Sequence, residues 1–274
     1  MLAARGDLSV LERPALAIVG ARNASAAGVR LARLWAEGLA AGGLTIVSGL
    51  ARGIDAAAHR GALEAGTTVA VVAGGIDVVY PPENAALTEE IAAGGLILAE
   101  APPGTEPQAR HFPRRNRIIA GLAAATLVVE AAPRSGSLIT ARMAAEFGRD
   151  VLAVPGSPLD PRAQGCNQLI REGATLVQRV DEILEALSAF AADTGDALGQ
   201  RFQLAESPAP NVSPWAPEEA RAKVLALLSP APVQIDELVR QTGLPAADVA
   251  SVLLDLELEG AMERHAGGRV ALGT

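Results

Sequence analysis

Six short apolar runs constrain this chain most, at residues 16–19, 44–47, 68–72, 96–98, 126–129 and 151–154. None of them alternates apolar with polar residues. Each therefore calls for burial on both faces, the situation of a parallel strand covered by helices above and below. Helix-like stretches lie between them, near 26–41, 54–65, 84–94, 137–147 and 179–189. Strand and helix in regular alternation predict an α/β fold: a Rossmann-like, doubly wound, mostly parallel sheet over residues 1–187, with its core from 15. A TIM barrel fits poorly, because eight such units usually take ~250 residues.

Residues 188–216 are weakly periodic and proline-rich, and read as a linker. Residues 217–274 then show helices over 218–229, 235–241 and 246–259 and a short hairpin around Gly267-Gly268. Leu238, Val239, Leu244, Val249, Val252, Leu253 and Leu256 are the expected core. Three short helices and a hairpin give a small winged-helix-like domain, with a plain three-helix bundle as the alternative.

Half of the 274 residues are apolar, enough for a sizeable core. The net charge of −8 excludes an indiscriminate polycation, although a local basic patch still sets the field a ligand meets. One cysteine, Cys166, excludes an internal disulfide and a cysteine-based zinc cluster, and three dispersed histidines add no metal site. The first residues lack the apolar run of a signal peptide, and no window reaches ~18 uninterrupted apolar residues. The expectation is a cytoplasmic protein without a membrane span.

The chemistry lies in the loops that follow the strands, the edge where open α/β sheets place ligands. The first strand leads into GARNASAAG at 20–28. Gly20 permits a tight turn, and the amides and dipole of the next helix can hold an anion there. Arg22 stands where the dinucleotide fingerprint needs glycine. It crowds a pyrophosphate and offers a fork of donors instead, which argues against NAD. The second strand ends in SGLARGID at 48–55, where Gly49 and Gly53 mark close turns. Asp55 and His59, four apart, can meet on one helical face, and a structural contact is preferred over a catalytic dyad. After the third strand come Gly74, Gly75 and Tyr80, the single tyrosine, which either stacks on a base or plugs the turn.

The strongest electrostatic feature is RHFPRRNRIIAG at 110–121, with four arginines in eight residues and no acid. Like charges repel, so such a cluster is best tolerated around an anion, and a polyanionic backbone supplies one while releasing counterions. A solvated basic loop is the plain alternative. Further on, EAAPRSGSLIT at 130–140 offers Arg134 as a donor, with Ser135 or Ser137 as the helix cap and Gly136 beside them. Asn167 can tie two loops together, while Cys166 has no base positioned to activate it. A Walker A motif is absent, since Lys223 is the only lysine.

These loops together resemble the DNA-processing protein A family (DprA, also called Smf). The matching stretches are GARNAS at 20–25, SGLARGIDAAAH at 48–59, GGIDVVYPPEN at 74–84, FPRRNRIIAG at 112–121, EAAPRSGSLITA at 130–141, PG at 155–156 and GCNQLI at 165–170. The residues themselves lead to the expectation of no catalysis, cofactor or metal, and the resemblance implies a cytoplasmic protein that binds single-stranded DNA. It further implies protection of incoming DNA in natural transformation, help in loading the RecA recombinase, and a homodimer through the Rossmann-like domain. Carried onto this sequence, Arg22, Arg52, Arg114, Arg115 and Arg117 become the expected phosphate contacts, with Arg134 nearby. Asn116 and Asn167 would position the loops, and Gly20, Gly49, Gly53, Gly74, Gly75 and Gly136 would shape the turns. The chain departs from the pattern at Ala27, where an aromatic is common, and at Ala163, where a serine is. It also leaves no room before the first strand for the N-terminal helical domain of many relatives.

The C-terminal unit reads differently. Over 218–274 nine acidic residues outweigh five basic ones, and its third helix carries Asp248, Asp255, Glu257 and Glu259 without Arg or Lys. Such a helix repels phosphates, which favours a protein-contact or regulatory role over double-stranded DNA reading. Two other readings of the whole chain stay open. One is a nucleotide-processing enzyme of the phosphoribohydrolase type, and the other is a scaffold whose acidic C-terminal unit carries the function.

Overall fold

The computed structural model describes residues 1–194, 217–229, 231–265 and 268–272. It divides into two units, Met1–Ala205 and Glu206–Thr274. In the first, the apolar runs become strands β2 (Ala15–Val19), β3 (Thr45–Ser48), β4 (Thr67–Val72), β5 (Leu96–Ala99), β6 (Ala125–Val128) and β7 (Asp150–Ala153). Two short strands join the edges, β1 (Ala3–Gly6) antiparallel to β5 and β8 (Thr175–Leu176) parallel to β7. The order across the sheet is β1-β5-β4-β3-β2-β6-β7-β8. The chain winds outward from β2 in one direction and then returns to β6 on its other side, with Val19 opposite Val128. That reversal is the switch point of a doubly wound sheet.

Alternate residues of one strand explain the missing polar–apolar rhythm. Leu16 and Ile18 of β2 face one apolar layer, and Ala17 and Val19 face the other. The first layer is closed by α1 (Ala26–Ala41), α2 (Ile54–Ala65) and α7 (Val180–Thr194), through Trp35, Leu39, Ile54 and Leu187. The second is closed by α4 (His111–Leu122), α5 (Gly136–Glu146) and α6 (Gln164–Arg171), through Ile118, Ile119, Leu138 and Leu169. A third helix-covered cluster joins α3 (Ala85–Gly94) to Leu50 and Ile97. Each fully buried Leu, Ile or Val contributes about 1.5–3 kcal/mol.

Sequence periodicity missed α4, α6, β1 and β8. In α4 the residues 110–117 are mostly charged or ring-bearing, and Pro113 looks like a breaker. It sits in the first turn, where no intrahelical hydrogen bond is lost. The basic run is therefore a helix and not a loop. The last helix also continues to Thr194, past the expected boundary at 187. The rest of the expected linker, 195–216, lies outside the described residues.

The second unit packs α8 (Pro217–Leu227), α9 (Ile235–Thr242) and α10 (Ala246–Leu258) against a three-stranded antiparallel sheet. That sheet has β9 (Val233–Gln234) beside β11 (Arg269–Leu272), and β11 beside β10 (Met262–His265). Leu238, Leu244, Val249, Val252, Leu253 and Leu256 form its core with Val224 and Met262, and Val239 packs on the edge. The sheet distinguishes this winged helix from a plain helical bundle.

Candidate nucleic-acid interface

A cavity of about 760 Å³ opens at the switch point, beyond the carboxyl ends of β2 and β6. Residues 20–23 form one wall and the first turns of α4 a second. The loop 132–135 with the start of α5 forms a third, and 160–162 a fourth. From α4 the cavity is lined by Pro113 and by Phe112, Arg115, Asn116 and Ile119, the last four at the i, i+3, i+4, i+7 spacing of one helical face. Arg114 and Arg117 fall on the other side of the same helix. The basic run thus does not gather in one cavity. Its arginines stay at the carboxyl rim of the sheet but part around α4.

Arg115 corrects the expectation most sharply. It is 6% exposed, and its Nη1 donates to the carbonyls of Gly49, at 2.6 Å, and Val71. Its Nε donates to Asn116 Oδ1 at 3.2 Å. Burial pushes the guanidinium down to about 10, which leaves it charged at neutral pH, and the buried Asp55 carboxylate opposes that shift. Arg115 therefore belongs to the scaffold that borders the cavity. Asn116 is buried as well and donates to Gly136 O at 3.2 Å, tying α4 to the start of α5.

Arg22 and Arg134 line the cavity and pair with no carboxylate among the described residues. The Arg22 guanidinium lies over the Phe112 ring, 4.8 Å from its centroid, and Tyr80 leans on the same ring at 5.8 Å. Tyr80 is 45% exposed, so it does not plug a turn. Arg134 holds a left-handed backbone with φ 66°, a conformation that costs a non-glycine residue of order 1–3 kcal/mol and that clusters at ligand sites. In the sequence Phe112 is only one member of the basic run. Its sequence signal was a lone aromatic among arginines, with no hint of its partner Arg22.

The other expected contacts, Arg52, Arg114 and Arg117, are exposed and paired. Arg114 Nε donates to Glu100 Oε2 at 2.8 Å, and Arg117 Nη2 donates to Glu100 Oε1. Although partial desolvation opposes it, the hydrogen bonds and charges of Arg117 and Arg114 hold the Glu100 carboxyl below its usual range. Arg52 lies 3.6 Å from Glu83. Surface pairs of this kind are worth at most about 1 kcal/mol, so a phosphate can compete for these guanidinium groups.

Two further expectations change. The N-terminus of α1 already holds an anion of the protein, because Glu130 accepts from the Ser25 amide and hydroxyl. Asp55 and His59 do not meet. Asp55 accepts from the amides of Gly49, at 3.1 Å, and Ala51, while His59 Nδ1 bonds Thr68 Oγ1 at 2.7 Å.

Gly53 has φ 75°, and a Cβ there would collide with the carbonyl of Ala21. At Gly49 it would strike the Arg115 guanidinium. Gly20 packs against Ile54, and Gly74 and Gly75 against the 102–107 loop, whereas a Cβ at Gly136 would meet open space. Asn167 bridges both backbone groups of Gly156, and burial pushes the Cys166 thiol up to about 12, leaving it inert. Among the described residues no cluster of His, Cys, Asp or Glu could hold a metal, and no helix is long and apolar enough to cross a membrane.

Fold and site together define a Rossmann-like domain with a cationic, aromatic-edged cleft at its switch point, followed by a winged helix. The chain belongs to the family of DNA recombination-mediator protein A, which matches residues 1–188, and its residues 206–268 match the DprA winged helix domain. Protein Smf of Synechocystis sp. is 41% identical over 93% of this chain and 69% of its own length. DNA processing protein DprA of Streptococcus pneumoniae is 49% identical over 66% of this chain and 64% of its own. The crystal structure of the pneumococcal protein superposes with a TM-score of 0.65, covering 67% of this chain and 65% of that one. DNA processing protein A of Helicobacter pylori, which has a unique single-stranded DNA binding mode, superposes at 0.64 with 29% identity, covering 70% and 87%. The chain thus spans about two thirds of the length of the curated relatives it matches.

Proposed function

We propose that this chain binds single-stranded DNA in the switch-point cleft and carries out no chemistry on it. The observation that carries the reading is the Arg22–Phe112–Tyr80 cluster on the rim of the cavity, with Arg22 over the Phe112 ring and Tyr80 tilted 57° against it. An aromatic face offers stacking to any base, and an unpaired guanidinium beside it meets the adjacent phosphate, the combination that single-strand binders use. Arg134 adds a second cation on the cavity wall, and Arg52, Arg114 and Arg117 supply contacts along the rim. The single-strand binding of the Helicobacter pylori relative supports the same assignment.

The carboxylates that border the cavity, Asp55 and Asp160, are occupied by backbone amides and by Arg162 respectively. Neither is placed as a free acid or base, which disfavours a phosphoribohydrolase. The family resemblance extends the proposal to protection of incoming DNA in natural transformation, assistance in loading the RecA recombinase, a homodimer through the Rossmann-like domain, and a cytoplasmic setting. The acidic α10 face suits a protein contact better than a duplex. Binding of labelled single- and double-stranded oligonucleotides tests the core of the reading. A clear preference for the single strand is expected, and release of free base from a nucleoside monophosphate would overturn it.

A further inference from the structure

Leu159 is 92% exposed, at the tip of the loop between β7 and α6. Exposed leucines are common singly, but this one is presented by a braced loop. Gly156 is clamped on both backbone groups by Asn167, at 3.2 and 2.9 Å. The Leu159 amide donates to Ser157 Oγ at 3.3 Å, and the Asp160 amide to Ser157 O at 3.0 Å. Asp160 in turn accepts from the Arg162 amide and guanidinium at 2.9 and 3.0 Å, and Arg162 O accepts from the Ala131 amide at 2.7 Å. Both flanks of the tip are therefore fixed, and among the described residues nothing buries the side chain.

What lies on either side gives the side chain a use. Asp160, Pro161 and Arg162 border the switch-point cavity. Pro158 borders a second hollow of about 530 Å³, lined from α6 by Gln164, Asn167, Gln168 and Arg171 and also by Glu172. Pro133 borders both. Leu159 thus follows a residue of one hollow and precedes a residue of the other. Both volumes lie within the ~300–1,000 Å³ of small-ligand sites.

We propose that Leu159 is a wedge that parts two neighbouring bases of the bound strand, one on the switch-point side and the next on the α6 side. Apolar side chains inserted between bases trade stacking for contact in the same way elsewhere in nucleic-acid recognition. Gln164 would offer a donor and an acceptor to the second nucleotide, and Arg171 a cation to its phosphate. Gln168, whose Nε2 donates to Glu172 Oε1 at 2.7 Å, would offer its side-chain carbonyl oxygen. The inference rests on the single-strand reading above, and it adds a second nucleotide subsite and the residue that divides it from the first.

The probe is a single-stranded oligonucleotide carrying 2-aminopurine, whose fluorescence rises when it is unstacked from its neighbours. Saturation with the full chain should raise the signal. Leu159→Ser should abolish most of the rise and weaken binding about tenfold, within the range of one lost base contact. Leu159→Met should retain both. An unchanged signal and affinity in Leu159→Ser overturns the wedge and leaves DNA binding standing, whereas failure of the unaltered chain to bind the oligonucleotide overturns both. If Leu159→Ser instead dissociates an assembly in sedimentation while binding the probe as before, the tip is a contact between copies and the wedge is wrong.

Discussion

Arg115 and Gly49 are fitted to each other. The guanidinium donates to the Gly49 carbonyl at 2.6 Å, and a Cβ on Gly49 would stand 2.7 Å from both terminal nitrogens. A glycine expected to keep a ligand loop open instead makes room for an arginine that belongs to the scaffold. The same arginine faces the buried Asp55 carboxylate, whose acid is raised by burial and lowered in turn by Arg115. Removing either partner leaves the other without its complement.

Arg115→Met should therefore act on stability before it acts on DNA. The change strips the buried carbonyls of Gly49 and Val71 of their shared donor, and a buried polar group left unsatisfied costs about 1–3 kcal/mol. Gly49→Ala should cost about 1–3 kcal/mol by overpacking. Urea unfolding followed by circular dichroism measures both. An Arg115 variant with unaltered stability and weakened DNA binding would return this residue to the ligand surface.

His59 makes the fold sensitive to mild acid. Burial pushes its imidazole down from 6.5 to about 3, and its Nε2 has no hydrogen-bond partner. Between those two values the unfolded chain binds the proton and the native one does not, so this contribution to stability is lost as pH falls below 6.5. From pH 7 to pH 5 the loss is about 2 kcal/mol at 1.36 kcal/mol per unit. His59→Gln should flatten that part of the curve in urea melts at matched pH. Parallel curves for the two proteins would show that His59 protonates in the native state.

Phe112→Ala should weaken single-strand binding about tenfold, as expected for one lost stacking contact, and leave its salt dependence unchanged. Phe112→Trp should preserve affinity. Fluorescence anisotropy at several salt concentrations separates the two effects, and a change in slope without a change in affinity at the reference salt would assign Phe112 an electrostatic role.

Much of this architecture was legible because its determinants are local. The bounds of α1 and α2 follow from Ser25 as a side-chain cap and from Gly53 and Gly66 on either side of α2. The buried strands follow from their Val, Ile and Leu runs. The basic helix α4 was not legible, because its apolar period is short and its burial is supplied by β2, β4 and α5, which only the fold brings together. A charge cluster in sequence also ceases to be one in space once it becomes helical. Arg114 and Arg115 are consecutive, yet one is exposed beside Glu100 and the other buried beneath Gly49. Phe112 gained its meaning from Arg22 and Tyr80, which no spacing rule connects to it.

The most direct measurement is the salt dependence of single-strand affinity in the unaltered chain, in Arg22→Ala and in the Arg114→Ala/Arg117→Ala double variant. Each phosphate contact contributes about 0.7 to the slope of log affinity against log salt. Arg22→Ala should shrink the slope by about 0.7 and the double variant by about 1.4, with every oligonucleotide sequence weakened alike. Unaltered affinity and slope in Arg22→Ala would contradict the placement of DNA in the switch-point cleft.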